Sequence, residues 1–528
     1  ESIELPLIDP MLDPAMALQS IQRQVDNVLS ETELIEAISK LQEEIFSYNK
    51  SYTTQFESVI KEPLALKLRS DETDESLLAF ITENFLTNIH EAIAQLAKSE
   101  RAMILHQITQ NILASDFCID TAFTKSDVSK IVNQLKREKV RSQILDEGVR
   151  ADGRTLTQVR PISIETNVLP QAHASTLFTR GQTQALAALT LGGSHDSQMY
   201  QALTDSETQN EKLMIHYNFP GFSVGEASRV GPAGRRELGH GNLAKRALEP
   251  TFDNVDGKTV RIVSEILESN GSSSMATICA ASLSLKAAGL GVTNLVAGVA
   301  MGMVSENGKH AILTDIMGLE DHDGDMDFKI AGTIEGISAM QMDIKLGGIS
   351  LEILTQALVQ AKVGREHILG LMEDAASTIE QNEGVLPSSE HFVVDPSKIG
   401  DIIGQAGKTI RDLIERFDVT IDLDRTKGLV KVSGTSLDNM ASVKDEIRNI
   451  TTAVKKEFVV GEEVLAKVKK LVDFGAFMEL DRSNDGLLHI SKISSERISH
   501  PSEVLSEGDE IRVRVSGFKG KKIELERA

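Results

Sequence analysis

From Ser30 onward the apolar positions recur at helical spacing. Leu34, Ile35, Ile38, Leu41 and Ile45 make one run, and Leu77, Leu78, Ile81, Phe85 and Ile89 make another. Ser30 followed by Glu33 predicts a capping box, in which hydroxyl and carboxylate each satisfy a free backbone N–H of the first turn. A further polar-rich helix is predicted over 126–145. No strand pattern intervenes, so 49–135 reads as an all-helical domain, most simply a spacer or packing module. At Ala151-Asp152-Gly153-Arg154 the texture changes, and β-branched runs begin to alternate with Ala-rich ones. Strands are predicted over 259–266, 296–304, 311–316 and 327–331, and helices over 275–288 and 351–380. Residues 381–384 and 387–389 read as a linker. Two small modules follow, with a seam near 453–457. The expectation is a multidomain α+β chain.

Composition narrows this picture. Trp is absent and aromatic residues are only 4%, so the cores must be aliphatic. Cys118 and Cys279 are too few and too far apart for a disulfide framework or a C-x-x-C metal site, as suits a reducing cytosol. Residues 287–304 carry no charge, but four glycines interrupt them, so they read as the junction of two buried elements. The start Glu1-Ser2-Ile3-Glu4 shows no basic leader region, and a soluble cytoplasmic protein without membrane association is expected. A net charge of −23 argues against nucleic-acid binding until its distribution is considered. Residues 386–528 hold 23 basic and 25 acidic residues, so nearly all the excess lies before them.

Five constellations carry chemistry. In Gly234-Arg235-Arg236-Glu237-Leu238-Gly239-His240-Gly241, paired guanidinium forks beside glycines can reach a phosphate; a surface turn with solvated arginines explains them equally well. In Asn270-Gly271-Ser272-Ser273-Ser274-Met275, capping accounts for one serine at a helix start, whereas three suggest an anion cradle. Asp321-His322-Asp323-Gly324-Asp325-Met326-Asp327-Phe328-Lys329 places carboxylates at alternate positions. A calcium loop is excluded, because Met326 stands where that loop needs glycine and Gly332 where it needs glutamate. Period-two alternation instead puts Asp325, Asp327 and Lys329 on one strand face, with Asp321 in the preceding turn. Few oxygen ligands suit Mg²⁺ with retained waters; a solvated acidic hairpin is the plain alternative.

Gly404-Gln405-Ala406-Gly407-Lys408, flanked by isoleucines, is the G-x-x-G loop that clamps nucleotides in KH domains. Short strands around Phe474, Phe477 and His489 suggest an OB-type barrel whose rings stack on bases. Lys467, Lys469, Lys470, Arg512 and Arg514 would be available to phosphates. Core packing is the alternative for either phenylalanine.

Together these stretches, with Leu177-Phe178-Thr179-Arg180-Gly181-Gln182-Thr183-Gln184, resemble the bacterial polynucleotide phosphorylase family, motif by motif and in order. The resemblance implies an RNase PH-like α/β core at 136–385, preceded by the helical domain at 49–135. A KH domain at 386–452 and an OB-fold barrel at 455–528 follow. It implies processive 3′-to-5′ phosphorolysis of single-stranded RNA to nucleoside diphosphates, reversible as polymerisation, with inorganic phosphate as co-substrate and Mg²⁺ (or Mn²⁺ in its place) as cofactor. By the same resemblance Arg235, Arg236, Ser272, Ser273 and Ser274 hold phosphates. Asp321, Asp327 and Lys329 form the catalytic group, with both aspartates on the metal, and His240 is a substrate contact or proton donor. Gly404, Gln405, Ala406, Gly407, Lys408, Phe474, Phe477 and His489 would bind RNA. A homotrimeric ring and partners in an RNA-degradation complex are also implied. Family members carry a first RNase PH-like core before the helical domain, and residues 1–48 are expected to be only its C-terminal end, from a truncated chain or one with an omitted segment. A non-catalytic RNA-binding scaffold and a hydrolytic metal-dependent exoribonuclease remain as alternatives.

Overall fold

The computed structural model describes residues 28–57, 59, 73–95, 98–201, 207–229, 231–253, 258–346, 348–452, 458–481, 484–494, 498–519 and 522–528. The start of the expected remnant at 1–48 and the seam at 453–457 therefore lie outside the described residues. Two compact units emerge, Glu1–Glu390 with Val432–Leu437, and His391–Lys431 with Asp438–Ala528.

In the first unit, helix α1 (Glu31–Glu57) starts at the expected capping box. The Ser30 N–H donates to Glu33 at 2.9 Å and the Glu33 N–H to Ser30 Oγ at 3.3 Å. Its first turns join the core of the α/β part of the unit, where Leu34 is buried and Glu31 accepts from buried Arg365 at 2.8 Å. The helix runs unbroken through position 48, the expected domain boundary. Beyond Leu41 its apolar pattern finds no core among the described residues, and Ile45, Tyr48, Tyr52 and Phe56 are exposed.

Helices α2 (Glu75–Ile93), α3 (Lys98–Leu113), α4 (Asp116–Thr121) and α5 (Lys125–Ser142) form a layer with its own core of Leu77, Ile81, Ile89, Ile112, Val128 and Ile131. Thr124 and Asp127 close a capping box on α5, and Asp74 caps α2, so local sequence fixes both starts.

Two large sheets build the α/β core. The first contains β1 (Ile162–Thr166), β2 (Ala174–Arg180), β3 (Gln184–Gly192), β4 (Leu213–Asn218) and β5 (Thr259–Glu268), in the order β1-β2-β3-β5-β4. The second contains β6 (Ala297–Glu306), β7 (Lys309–Thr314), β8 (Met326–Gly332) and β9 (Ile337–Ile344), in the order β7-β6-β8-β9. Of the helices, α6 (Arg235–Leu248) packs on β4, and α7 (Ser273–Ala287) lies between β2 and β3 of one sheet and β6 of the other. Every residue of α7 except Lys286 is buried. A helix buried all round must carry small or apolar side chains on every face, which explains its run of Ala and Ser. The short α8 (Gly318–Asp323) precedes β8, and the long α9 (Leu351–Ser377) covers β6 and β7.

Residues 388–528 hold two modules. In one, helix Ile399–Ile403, a turn and helix Lys408–Phe417 accompany a three-stranded sheet of Ser388–Val393, Leu429–Gly434 and Thr420–Asp424. The other is a closed five-stranded barrel. Both cysteines are buried and free, and among the described residues no helix is long and apolar enough to cross a membrane.

Candidate active site

The serine loop enters α7 in a strained conformation. Ser272 is left-handed (φ 63°) and makes no side-chain cap, so the ordinary capping reading fails for it. Ser272 Oγ and Ser274 Oγ are buried without a hydrogen-bond partner, and Ser273 shares a 2.7 Å hydrogen bond with the Tyr217 hydroxyl. Unmatched buried hydroxyls are unfavourable unless a ligand completes them. Before them sits Gly271 (φ 91°), where a Cβ would lie 2.7 Å from Gly318 N and 2.8 Å from Met317 C. Backbone thus meets backbone, and Gly318 N–H donates to Asn270 O at 3.2 Å.

Behind this loop lies a buried charge hub. Asp315 is flanked by Arg160 at 2.7 Å, Arg180 at 3.2 Å and Arg154 at 3.5 Å. Two of these arginines also brace the loop, Arg160 donating to Asn270 O at 3.0 Å and Arg180 to Ser272 O at 3.0 Å. Thr183 Oγ1 adds a 2.9 Å bond to Gly271 O. These positions belong to the stretches that opened the core in the sequence, yet no spacing rule revealed that they converge.

The loop forms one wall of a cavity of about 660 Å³. Arg236, His240, Asp321, Asp327 and Lys329 line it as well, so most of the sequence-predicted core residues meet there. Arg235 does not; it is exposed at the first turn of α6. Arg236 lies 5.4 Å over the Phe219 ring, and Tyr217 meets His240 edge-on at 5.0 Å, so aromatic rings set the pose of both.

The acidic run divides in two. Asp327 and Lys329 project from one face of β8 and form an ion pair, each side chain nearly buried. Asp327 Oδ1 is left without a hydrogen-bond partner. Burial holds the Asp327 carboxyl above its ordinary value despite Lys329, with Asp321 and Asp343 pushing the same way. Asp325 does not share this face. It precedes the strand and is buried against α5, where Arg141 grips it bidentately at 2.8 and 2.9 Å and the Ser305 N–H donates at 2.7 Å. Asp323 likewise turns to Lys136 of α5 at 3.1 Å. The alternation rule fails here because Gly324 breaks the extended run and α8 occupies its first half.

Two contributions escaped the sequence. Lys345 Nζ binds the carbonyls of His322 (2.9 Å) and Gly324 (3.2 Å), closing the C-terminal end of α8. The helical layer supplies Lys98, Arg101, Asn133 and Lys136 to the cavity wall, so it is no mere spacer. Lys98, Arg101, Ala102 and Leu105 follow the i, i+3, i+4, i+7 pattern of one helix face, a signal that was present but reads as an ordinary solvated stripe.

His240 is held low, at about 4, chiefly by burial and further by Lys329 and Arg236. It is therefore a neutral imidazole near pH 7, with Nδ1 unpartnered. Its folded value lies below the unfolded one, so it disfavours the folded state progressively as pH falls from about 6.5 toward 4. Bound phosphate, being anionic, should raise that value. Histidine NMR titration is expected to show His240 as the lowest-titrating ring, moving upward by at least one unit with orthophosphate; an unmoved ring would exclude His240 from the phosphate's field.

The smaller modules present their predicted residues outward. Gly404 has φ 71°, and a Cβ there would meet Thr409 Oγ1 at 2.0 Å. Ala406 is left-handed at φ 52°, and Arg411 braces the loop at Ala406 O (2.6 Å) and Gly407 O (3.1 Å). Gln405 and Lys408 are exposed, and Lys408 opens a helix, where free N–H groups favour anions. On the barrel Phe474 is exposed and Phe477 half-buried, meeting edge-on at 6.3 Å, and neither is part of the barrel's buried core. Phe477 pairs across strands with Lys470 and Leu487, and His489 lies two residues along from Leu487 on the same outward face. Lys469 is paired with Asp485 at 2.7 Å and Arg514 with Glu463 at 2.6 Å. No ion pair among the described residues engages Lys467, Lys470 or Arg512.

Four family models match the chain: "3′ exoribonuclease family, domain 1" over 158–291, "Polyribonucleotide nucleotidyltransferase, RNA binding domain" over 76–155, "KH domain" over 389–449 and "S1 RNA binding domain" over 457–526. A polyribonucleotide nucleotidyltransferase of Sulfurimonas denitrificans is 52% identical over 98% of this chain and 72% of its own length. That of Wolinella succinogenes is 54% identical over 95% of this chain and 69% of its own. The chain belongs to the polyribonucleotide nucleotidyltransferase family. Like its relatives, it is a phosphorolytic 3′-to-5′ exoribonuclease, with inorganic phosphate as co-substrate and single-stranded RNA bound through KH and S1 domains. In polyribonucleotide nucleotidyltransferase terms, the barrel is the S1 domain, and the cavity is lined from the exoribonuclease match, from the match over 76–155 and from residues 316–345 beyond both.

Proposed function

We propose that phosphorolysis takes place in the cavity between the serine loop and β8. The observation supporting this reading is the pair of partnerless hydroxyls on Ser272 and Ser274 in the same cavity as the partnerless Asp327 Oδ1. One array is short of an anion and the other of a cation. Ser272, Ser273 and Ser274, the first N–H groups of α7 and Arg236 hold orthophosphate against the terminal phosphodiester. A phosphate oxygen attacks the phosphorus and the bond to the 3′ oxygen breaks. The products are a nucleoside diphosphate and an RNA one nucleotide shorter. The 3′ oxygen takes its proton from hydrogen phosphate, so the chain need not supply a general base. Lys329, fixed by Asp327, stabilises charge on the phosphoryl oxygens, and neutral His240 donates a hydrogen bond.

Asp321 and Asp327 are suited to Mg²⁺, or Mn²⁺ in its place: hard carboxylate oxygens, few in number, one lacking any other partner. When bound there, the ion supplies charge neutralisation between the two phosphates. Residues 386–452 and 455–528 hold the RNA strand, with Gly404, Gln405, Ala406, Gly407 and Lys408 clamping its backbone and Phe474, Phe477 and His489 stacking on bases. A homotrimer, association with other RNA-degrading proteins and a cytoplasmic location belong to the same reading.

The test is incubation with single-stranded RNA and Mg²⁺, with and without phosphate. Nucleoside diphosphates that appear only with phosphate are expected. Monophosphates formed without phosphate would replace this reading with hydrolysis.

A further inference from the structure

Arg101 is a buried cation without a matching anion. It is 7% exposed and lines the cavity from α3, and its guanidinium donates to the Gln95 carbonyl at 2.9 Å. Among the described residues no carboxylate lies within ion-pair distance of it. Burial pulls its pKa down, with Asp323 offsetting this from a distance. A carbonyl satisfies one donor of five and none of the charge. Taking a guanidinium out of water is unfavourable unless an anion is close, so such a group is kept where a ligand supplies the charge.

Its surroundings fit that role. Lys98 lies one turn before it on the same helix face, exposed at the cavity's edge. Lys136, the third cation of this wall, is already tied to Asp323 at 3.1 Å. The other side of the cavity has its own phosphate-directed groups in the serine loop and Arg236. Phosphorolysis brings together the attacking phosphate and the scissile phosphodiester, and a strand extends beyond the scissile linkage to further phosphodiesters. One cradle cannot hold all of these.

We propose that Arg101, with Lys98, forms a second phosphate subsite in the catalytic cavity, contributed by the helical layer. It takes a phosphodiester of the RNA next to the scissile one. A planar fork can reach two phosphate oxygens, with the flexible ammonium of exposed Lys98 beside it. This rests on the cavity being the phosphorolytic site, as set out above.

The test is steady-state kinetics of Arg101→Met, Arg101→Lys and Lys98→Met in the full chain, with the concentrations of a short oligoribonucleotide and of orthophosphate varied separately. For Arg101→Met the KM for the oligoribonucleotide should rise about tenfold or more while the KM for phosphate stays within about twofold. Arg101→Lys should recover part of the loss, and Lys98→Met, at an exposed position, should show a smaller change in the same direction. A rise confined to the phosphate KM would still establish a phosphate subsite but assign it to the attacking anion. Unchanged KM values for both substrates in folded Arg101→Met and Lys98→Met would overturn the subsite. Equilibrium binding of the short oligoribonucleotide to the same variants is an independent readout, so a fault in the catalytic assignment alone would leave the Arg101 effect on binding intact.

Discussion

Asp327→Asn is expected to lower phosphorolysis by about a hundredfold to a thousandfold and to leave RNA affinity within about twofold. The substitution preserves shape but removes the charge that pairs with Lys329 and the oxygen proposed to accept a cation. Lys329 would remain nearly buried without its counter-charge, and Asp321 alone is a poor divalent site. RNA binding should survive because the KH and S1 domains carry their own contact residues. Nucleoside diphosphate release and RNA retention, measured on one preparation, decide the matter. Equal losses in both would mean that β8 serves strand binding rather than chemistry.

The second large effect is expected from Asp315→Asn. Burial by itself would raise the Asp315 pKa, but Arg160, Arg180 and Arg154 outweigh it and hold the carboxyl far below the ordinary carboxylate range. A neutral amide there leaves three buried guanidinium groups around an absent charge. Breaking a buried ionic group in this way costs about 3–5 kcal/mol. The first unit should therefore unfold at markedly lower denaturant concentration, and the phosphate KM should rise because Arg160 and Arg180 also hold the serine loop. The sign with pH follows from the depressed value. The stabilisation is fully present above the unfolded carboxylate pKa near 4 and is lost as pH falls below it. In the Asn variant that acid-dependent part should vanish. An Asn variant as stable as the parent at neutral pH would show that the arginines are satisfied by carbonyls alone.

Much of this organisation can be read from residue order. The capping box at Ser30, the helical runs and the strands over 259–266 and 296–304 follow from periodicity, which packing preserved. Gly271-Ser272-Ser273-Ser274 stands out because three small hydroxyls exceed what capping requires, and two of them are buried without a partner. The hidden parts depend on distance in the chain. Arg154, Arg160 and Arg180 reach Asp315 from elements more than a hundred residues away, and no local pattern announces a shared partner. The two-residue period puts Asp325 on the wrong face because it does not hold across Gly324, where the strand has not begun. Lys98 and Arg101 looked like any charged helix stripe, since sequence shows that a face is polar but not what it confronts.

The division of the acidic run has a practical consequence for mutational scanning. Asp321 and Asp327 open into the cavity, while Asp323 and Asp325 hold α5 through Lys136 and Arg141. Alanine at any of the four is expected to lower activity, at 321 and 327 by removing the carboxylates proposed for the chemistry, and at 323 and 325 by letting the loop drift. A position-by-position activity map would therefore draw one uninterrupted catalytic motif where the molecule has two interleaved ones. Charge reversal paired across the contact, with Asp325 exchanged against Arg141, would separate the architectural pair from the pair proposed to react.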